Sequence, residues 1–163
     1  MDIGSALKIG KKKEETEEDR QLALERAHEV HDESLVVDGH VGTLFDILHQ
    51  GKRVDAEDDQ GRVNLAALRE GGVKCAVLSA FPADRHYPIR GVRSGMEYID
   101  AFASLSSVSG VKLAFSAKDI EEAAERDEIA LVLAFDGGEF LDGSLGALRM
   151  FHRLGLRVLS LTW

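Results

Sequence analysis

The chain has 163 residues, 44% hydrophobic and 30% charged, the balance of a globular domain with a real core rather than of a disordered chain. Its formal net charge of -9 excludes the basic face that phosphate backbones require, so no nucleic-acid partner is expected. A single cysteine excludes an internal disulfide framework and any metal site built from several thiolates.

Residues 1–16 read as a polar tail, with Lys11 to Glu18 mixing both charge signs. Its lysines follow a short apolar patch, the reverse of a secretory signal, so a cytoplasmic location is expected. Residues 17–163 form the expected domain. From Asp19 to Asp32 the pattern turns helical, with Leu22, Ala23, Arg26, Ala27 and Val30 near i, i+4 and i+8. His28 and His31 lie three apart on this helix with no further ligand beside them, and read as solvated.

Four apolar segments follow that read as strands: 35–41, 73–80, 129–135 and 156–162. Cys75 sits inside the second and reads as a small core residue. Between the strands lie helical patterns at 64–70, 94–105, 116–126 and 144–154. Ser or Asn at a helix opening accepts from free backbone N–H groups, and Ser116 with Asp119 approaches a capping box. No apolar run reaches the roughly 18 residues of a membrane span. Near-continuous apolar strands alternating with amphipathic helices imply an α/β fold with a covered parallel sheet. Two architectures fit: an open doubly wound sheet, or the first half of a (β/α)8 TIM-type barrel, which normally needs about 250 residues.

In either, chemistry gathers at the carboxyl ends of the strands. Those ends read Asp38-Gly39-His40, Ser79-Ala80-Phe81, Asp136-Gly137-Gly138-Glu139 and Thr162-Trp163. Asp38 and His40 are two apart and on a regular strand share a face, which suits a metal site, a carboxylate-held histidine or a hydrogen-bonded core pair. Asp136 ends a run of mostly aliphatic residues, so it must be paired, metal-bound or at a solvent-facing rim. Gly137 and Gly138 permit a sharp turn or a close ligand approach. A phosphate loop is excluded, because the spacing is wrong and three acids stand where phosphate would sit. His49, His86 and His152 have no partner visible in the sequence, and His152 reads as surface or packing.

Together these segments resemble the renal (membrane) dipeptidase family, the M19 metallopeptidases. The resemblance rests on Val37-Asp-Gly-His40, on Val63-Asn-Leu-Ala-Ala-Leu-Arg-Glu-Gly-Gly-Val73, on Asp136-Gly-Gly-Glu139 and on the long block from Ser144 to Trp163. It covers about residues 20–163 and implies the barrel alternative, of which this chain would be the amino-terminal half. It also implies two zinc ions at the strand ends and hydrolysis of dipeptides by a metal-activated water. His40 matches the histidine of the family's His-x-Asp motif, and Asp136 stands where a Glu bridges the metals. Trp163 falls where some members carry a substrate-binding histidine.

Two departures carry physical weight. Gly42 replaces the motif's Asp and has no side chain to ligate. Asp136 keeps the charge of the bridging Glu but is one methylene shorter, about 1.5 Å less reach. Asp38 and Asp46 are the available substitutes, Asp38 one layer deeper in the barrel and Asp46 beyond the strand. Two readings follow: a zinc dipeptidase acting on dipeptide-like small molecules, or a non-catalytic remnant of that family that keeps the scaffold and binds. A half-barrel also leaves strand edges with unpaired N–H and C=O groups, so self-association into a homo-oligomer is expected.

Overall fold

Two compact units divide between Ser34 and Leu35, and a computed structural model describes residues 16–56, 63–81 and 90–162 of them. The expectations for the tail before Thr16, for His86 and for Trp163 fall outside the described residues. In the first unit, helix α1 runs Glu17–Glu33, slightly longer than its periodicity predicts. A reciprocal capping box starts it: Thr16 Oγ1 accepts from the Asp19 backbone N–H, and Asp19 Oδ2 accepts from that of Thr16. The Thr16 hydroxyl, which donates to Asp19 Oδ2 at 2.7 Å, and then the Thr16 backbone N–H hold the Asp19 carboxyl below its usual range. His28 and His31 are exposed on this helix, as expected of solvated side chains.

In the second unit the elements run β1 (Val36–Val41), α2 (Thr43–Gln50), α3 (Leu65–Glu70), β2 (Val73–Ala80), α4 (Val92–Ser104) and β3 (Val111–Leu113). They continue as α5 (Ala117–Glu125), β4 (Ile129–Asp136), α6 (Leu145–Arg153) and β5 (Leu156–Ser160). All four expected strands form. The short β3 and the eight-residue α2 are additions, each too brief for its periodicity to stand out in the sequence.

Every pairing is parallel, and β4 is the hub. It lies in register with β2 from Cys75↔Ala130 to Ala80↔Phe135. Its other edge is shared, β3 taking Ile129–Leu131 and β5 taking Leu133–Asp136. All eight residues of β4 are buried, as a strand covered on both faces requires.

Crossover handedness explains what covers each face. From β1 to β2, from β2 to β3 beyond β4, and from β4 to β5 the chain steps one way across the sheet, so right-handed crossovers put their helices on one face. The step from β3 back to β4 runs the other way and puts α5 on the opposite face. The packing agrees. Leu44, Leu65, Leu68, Ile99, Phe102 and Phe151 from α2, α3, α4 and α6 share one core with Leu78, Leu131, Leu133 and Phe135. Ala123 and Ile120 of α5 pack instead with Cys75, Ala130 and Val132. Cys75 is therefore a core residue, and burial pushes its thiol up.

Helix starts follow the sequence reading at three places. Asn64 Oδ1 accepts from Ala67 N at 2.8 Å, Ser116 Oγ from Asp119 N at 3.3 Å and Ser144 Oγ from Ala147 N at 3.2 Å. Helix α4 differs. It begins after Gly91 rather than at Ser94, and the acceptor for Val92 N is Asp142 Oδ2, 3.0 Å away and fifty residues on. A Cβ on Gly91 would collide with that carboxylate, so glycine is required where the two segments meet.

Candidate functional site

Asp136 is the last residue of β4, and its side chain is 8% exposed. Both carboxylate oxygens are engaged. Oδ2 lies 2.7 Å from His40 Nε2, and Oδ1 accepts from Ser160 Oγ at 3.2 Å. His40 comes from β1, with β2 in between, so the pair reaches across two strand spacings, roughly 9.5 Å of backbone separation. Such a reach closes only when both side chains lean over the same face of the sheet. The imidazole stays 55% exposed while the acid is buried beneath it.

The end of β1 is irregular: Asp38 pairs with Ala76 and Val41 with Leu78, so three residues of β1 advance against two of β2. Asp38 Oδ1 accepts from the His40 backbone N–H at 3.1 Å, a local turn bond within the shifted segment. Asp46 lies in α2, beyond the strand as expected, and is buried. Neither acid joins His40 and Asp136, since no group of three His, Cys, Asp or Glu suited to a metal occurs among the described residues.

After Asp136 the chain turns through Gly137, whose φ of 124° excludes ordinary side chains. The turn stays attached to β5: Gly137 N donates to Ser160 O at 2.9 Å, and Gly138 N donates to Leu161 O at 3.1 Å. A Cβ on Gly138 would lie 3.1 Å from that Leu161 oxygen, so a side chain there would push the two segments apart by a few tenths of an ångström. Gly42 caps the start of α2 without any side-chain bond.

These residues fit part of a metal centre. Zinc bonds of about 2.0–2.1 Å at a tetrahedral angle separate two donor atoms by about 3.3 Å. His40 Nε2 and Asp136 Oδ2, at 2.7 Å, close directly on each other and would have to part by about 0.6 Å to admit one cation. Both donor types suit zinc. Two donors do not furnish a two-metal site.

His49 proves to have a partner. Its Nε2 lies 3.2 Å from Tyr98 Oη, between the edges of Phe45 and Tyr98. Burial pushes the Tyr98 hydroxyl up to about 12, with Glu97 adding to the rise, and burial lowers the His49 imidazole against the opposing pull of Glu97. His152 is exposed, and its backbone carbonyl accepts from Arg157 Nη1 at 2.7 Å and from Gly155 N at 3.2 Å. Ser160 escaped the sequence reading; its one signal was a place near the end of the last strand, as Asp136 stands at the end of its neighbour.

Known proteins are similar to this chain in sequence and in fold. The sequence profile of membrane dipeptidase, peptidase family M19, matches residues 24–163. Dipeptidase 3 of Homo sapiens is 31% identical over 135 residues, covering 78% of this chain and 27% of that protein. Dipeptidase 3 of Rattus norvegicus is equally similar over 134 residues. The chain thus spans about a quarter of the length of these curated relatives. Among solved structures, a probable dipeptidase, PvdM, from Pseudomonas aeruginosa superposes with a TM-score of 0.69 at 19% identity, over 88% of this chain and 38% of that one. A metallo peptidase from Rhodobacter sphaeroides, solved with a phosphinate mimic of the dipeptide L-Ala-D-Ala, gives 0.65 at 22% identity, over 78% of this chain and 45% of that one. The fold is therefore that of part of a TIM-type barrel, as the family resemblance implies, and the chain belongs to the membrane dipeptidase family, peptidase family M19.

Proposed function

We propose that the rim formed by β1, β4 and β5 is a dipeptide-binding site organised around a single divalent cation, zinc by the family's chemistry, held between His40 and Asp136. The observation that carries this reading is the approach of those two side chains to 2.7 Å from positions 96 residues apart. The neutral imidazole and the carboxylate are the donors, and the exposed side of the His40 ring faces the space where a ligand would arrive. A cation bound there supplies Lewis-acid polarisation of a carbonyl and activation of water. Catalytic zinc sites use about three protein ligands plus water. With two donors among the described residues, the chain is read as binding dipeptide-like molecules without turning them over, the non-catalytic alternative within the family. Trp163 remains part of the proposal as a substrate contact.

Elemental analysis of the purified chain, with a dipeptide hydrolysis assay, tests this. One zinc per chain is expected, lost in His40→Ala, with no turnover. Two zinc ions with hydrolysis would replace the binding reading by the enzymatic one, and a complete lack of zinc would remove the metal site.

We infer also that the sheet takes a partner along its edges. Among the described residues β1 pairs only with β2, and β5 pairs only with β4. Val37 of β1 is 50% exposed, and Leu161, just beyond β5, is 72% exposed. Unpaired parallel edges carrying apolar side chains favour association with a second copy.

A further inference from the structure

Asp136 and Ser160 are Cα partners in the β4–β5 ladder, and partners in a parallel pair project to the same side of the sheet. The hydroxyl therefore lies beside the carboxylate, and Ser160 Oγ donates to Oδ1 at 3.2 Å. His40 Nε2 engages the other oxygen, so each oxygen has one partner, from opposite sides. A carboxylate with one engaged oxygen can rotate about its last bond, whereas one held at both oxygens cannot without losing a bond. The backbone sets Ser160 in place as firmly as it sets Asp136, because the Gly137 and Gly138 N–H groups donate to the carbonyls of Ser160 and Leu161. β5 thus reaches the site through a side chain, although its own residues there carry no charge.

We propose that Ser160 is a positioning residue: its hydroxyl fixes the rotation of the Asp136 carboxylate so that Oδ2 is presented to His40 and to any cation the pair binds. This rests on the proposed cation site for its second readout and on nothing but the hydrogen bonds for its first. A group that orients a metal ligand typically changes affinity by about 10–100-fold when removed.

The experiment uses the whole chain and two variants, Ser160→Ala and Ser160→Thr, the latter keeping the hydroxyl. In the metal-free protein, long-range 1H–15N spectra of the histidine rings report the His40 tautomer, with His49 as an internal control for the fold. A single tautomer with the proton on Nε2 is expected in the parent and in Ser160→Thr. In Ser160→Ala this single-tautomer pattern is lost while the His49 signals stay in place. Cobalt(II) titration followed by visible absorption gives the second readout: about 10-fold weaker binding in Ser160→Ala, restored in Ser160→Thr. An unchanged His40 pattern in Ser160→Ala overturns the proposal whatever cobalt does. Failure of the parent chain to bind cobalt overturns the cation site and leaves the tautomer result to decide the role of Ser160.

Discussion

At Asp136 a buried acid is made tolerable by two hydrogen bonds from two other strands, and the cost of removing either is set by what remains unpaired. His49 poses the opposite problem. Its ring is packed among aromatic rings, and burial favours the neutral form. Glu97 pulls the other way, and Tyr98, raised to about 12, stays protonated and neutral beside it. A histidine whose folded pKa is lowered binds fewer protons than it does when unfolded. Its contribution is therefore present above the ordinary histidine range and is lost as pH falls through it. Urea midpoints should rise between about pH 5.5 and 7.5, and the part of that rise due to His49 should vanish in His49→Gln. Parallel curves for parent and variant would show that burial of this ring does not shape acid stability.

At the scale of elements, β4 supplies the core and the caps supply the ends. Phe135 stacks on Phe140 with centroids 4.4 Å apart and meets the edge of Phe151 at 5.3 Å. Phe135→Ala would leave a cavity beside Phe140 and Phe151 and is expected to cost about 3–5 kcal/mol by urea unfolding. Asp142→Ala, which strips the acceptor from the start of α4, should cost about 1 kcal/mol. A loss at Asp142 as large as that at Phe135 would mean the carboxylate does more than cap. Strand and helix positions were legible from local patterns because an eight-residue β4 or a nine-residue α6 carries enough apolar side chains to show a period. β3, with three residues, and the cap borrowed from Asp142 were not, since neither leaves a local signal.

At the scale of the whole sheet unit, free edges dominate the outlook. The parallel ladder ends at β1 on one side and at β5 with β3 on the other, among the described residues. Light scattering across a concentration series should show self-association, and a charge placed on the edge, Val37→Lys, should shift it toward monomer without lowering the thermal midpoint. A monomer at every concentration would remove the inference. The same edges bear on the site, because β1 and β5 carry two of its three contributing side chains, His40 and Ser160.

The α/β class and the four principal strands were legible in local periodicity, the rim positions of His40 and Asp136 in strand-end chemistry, and the family in the resemblance of the segments at His40, Asp136 and Ser144 to Trp163. Pairing between distant segments settled the rest: α5 covers the opposite face, β3 and β5 share one edge of β4, and Ser160 grips the Asp136 carboxylate. The reason is physical. Register and crossover direction are fixed by pairing between strands distant in sequence, and the irregularity between Asp38 and Val41 exists only in the pairing of β1 with β2.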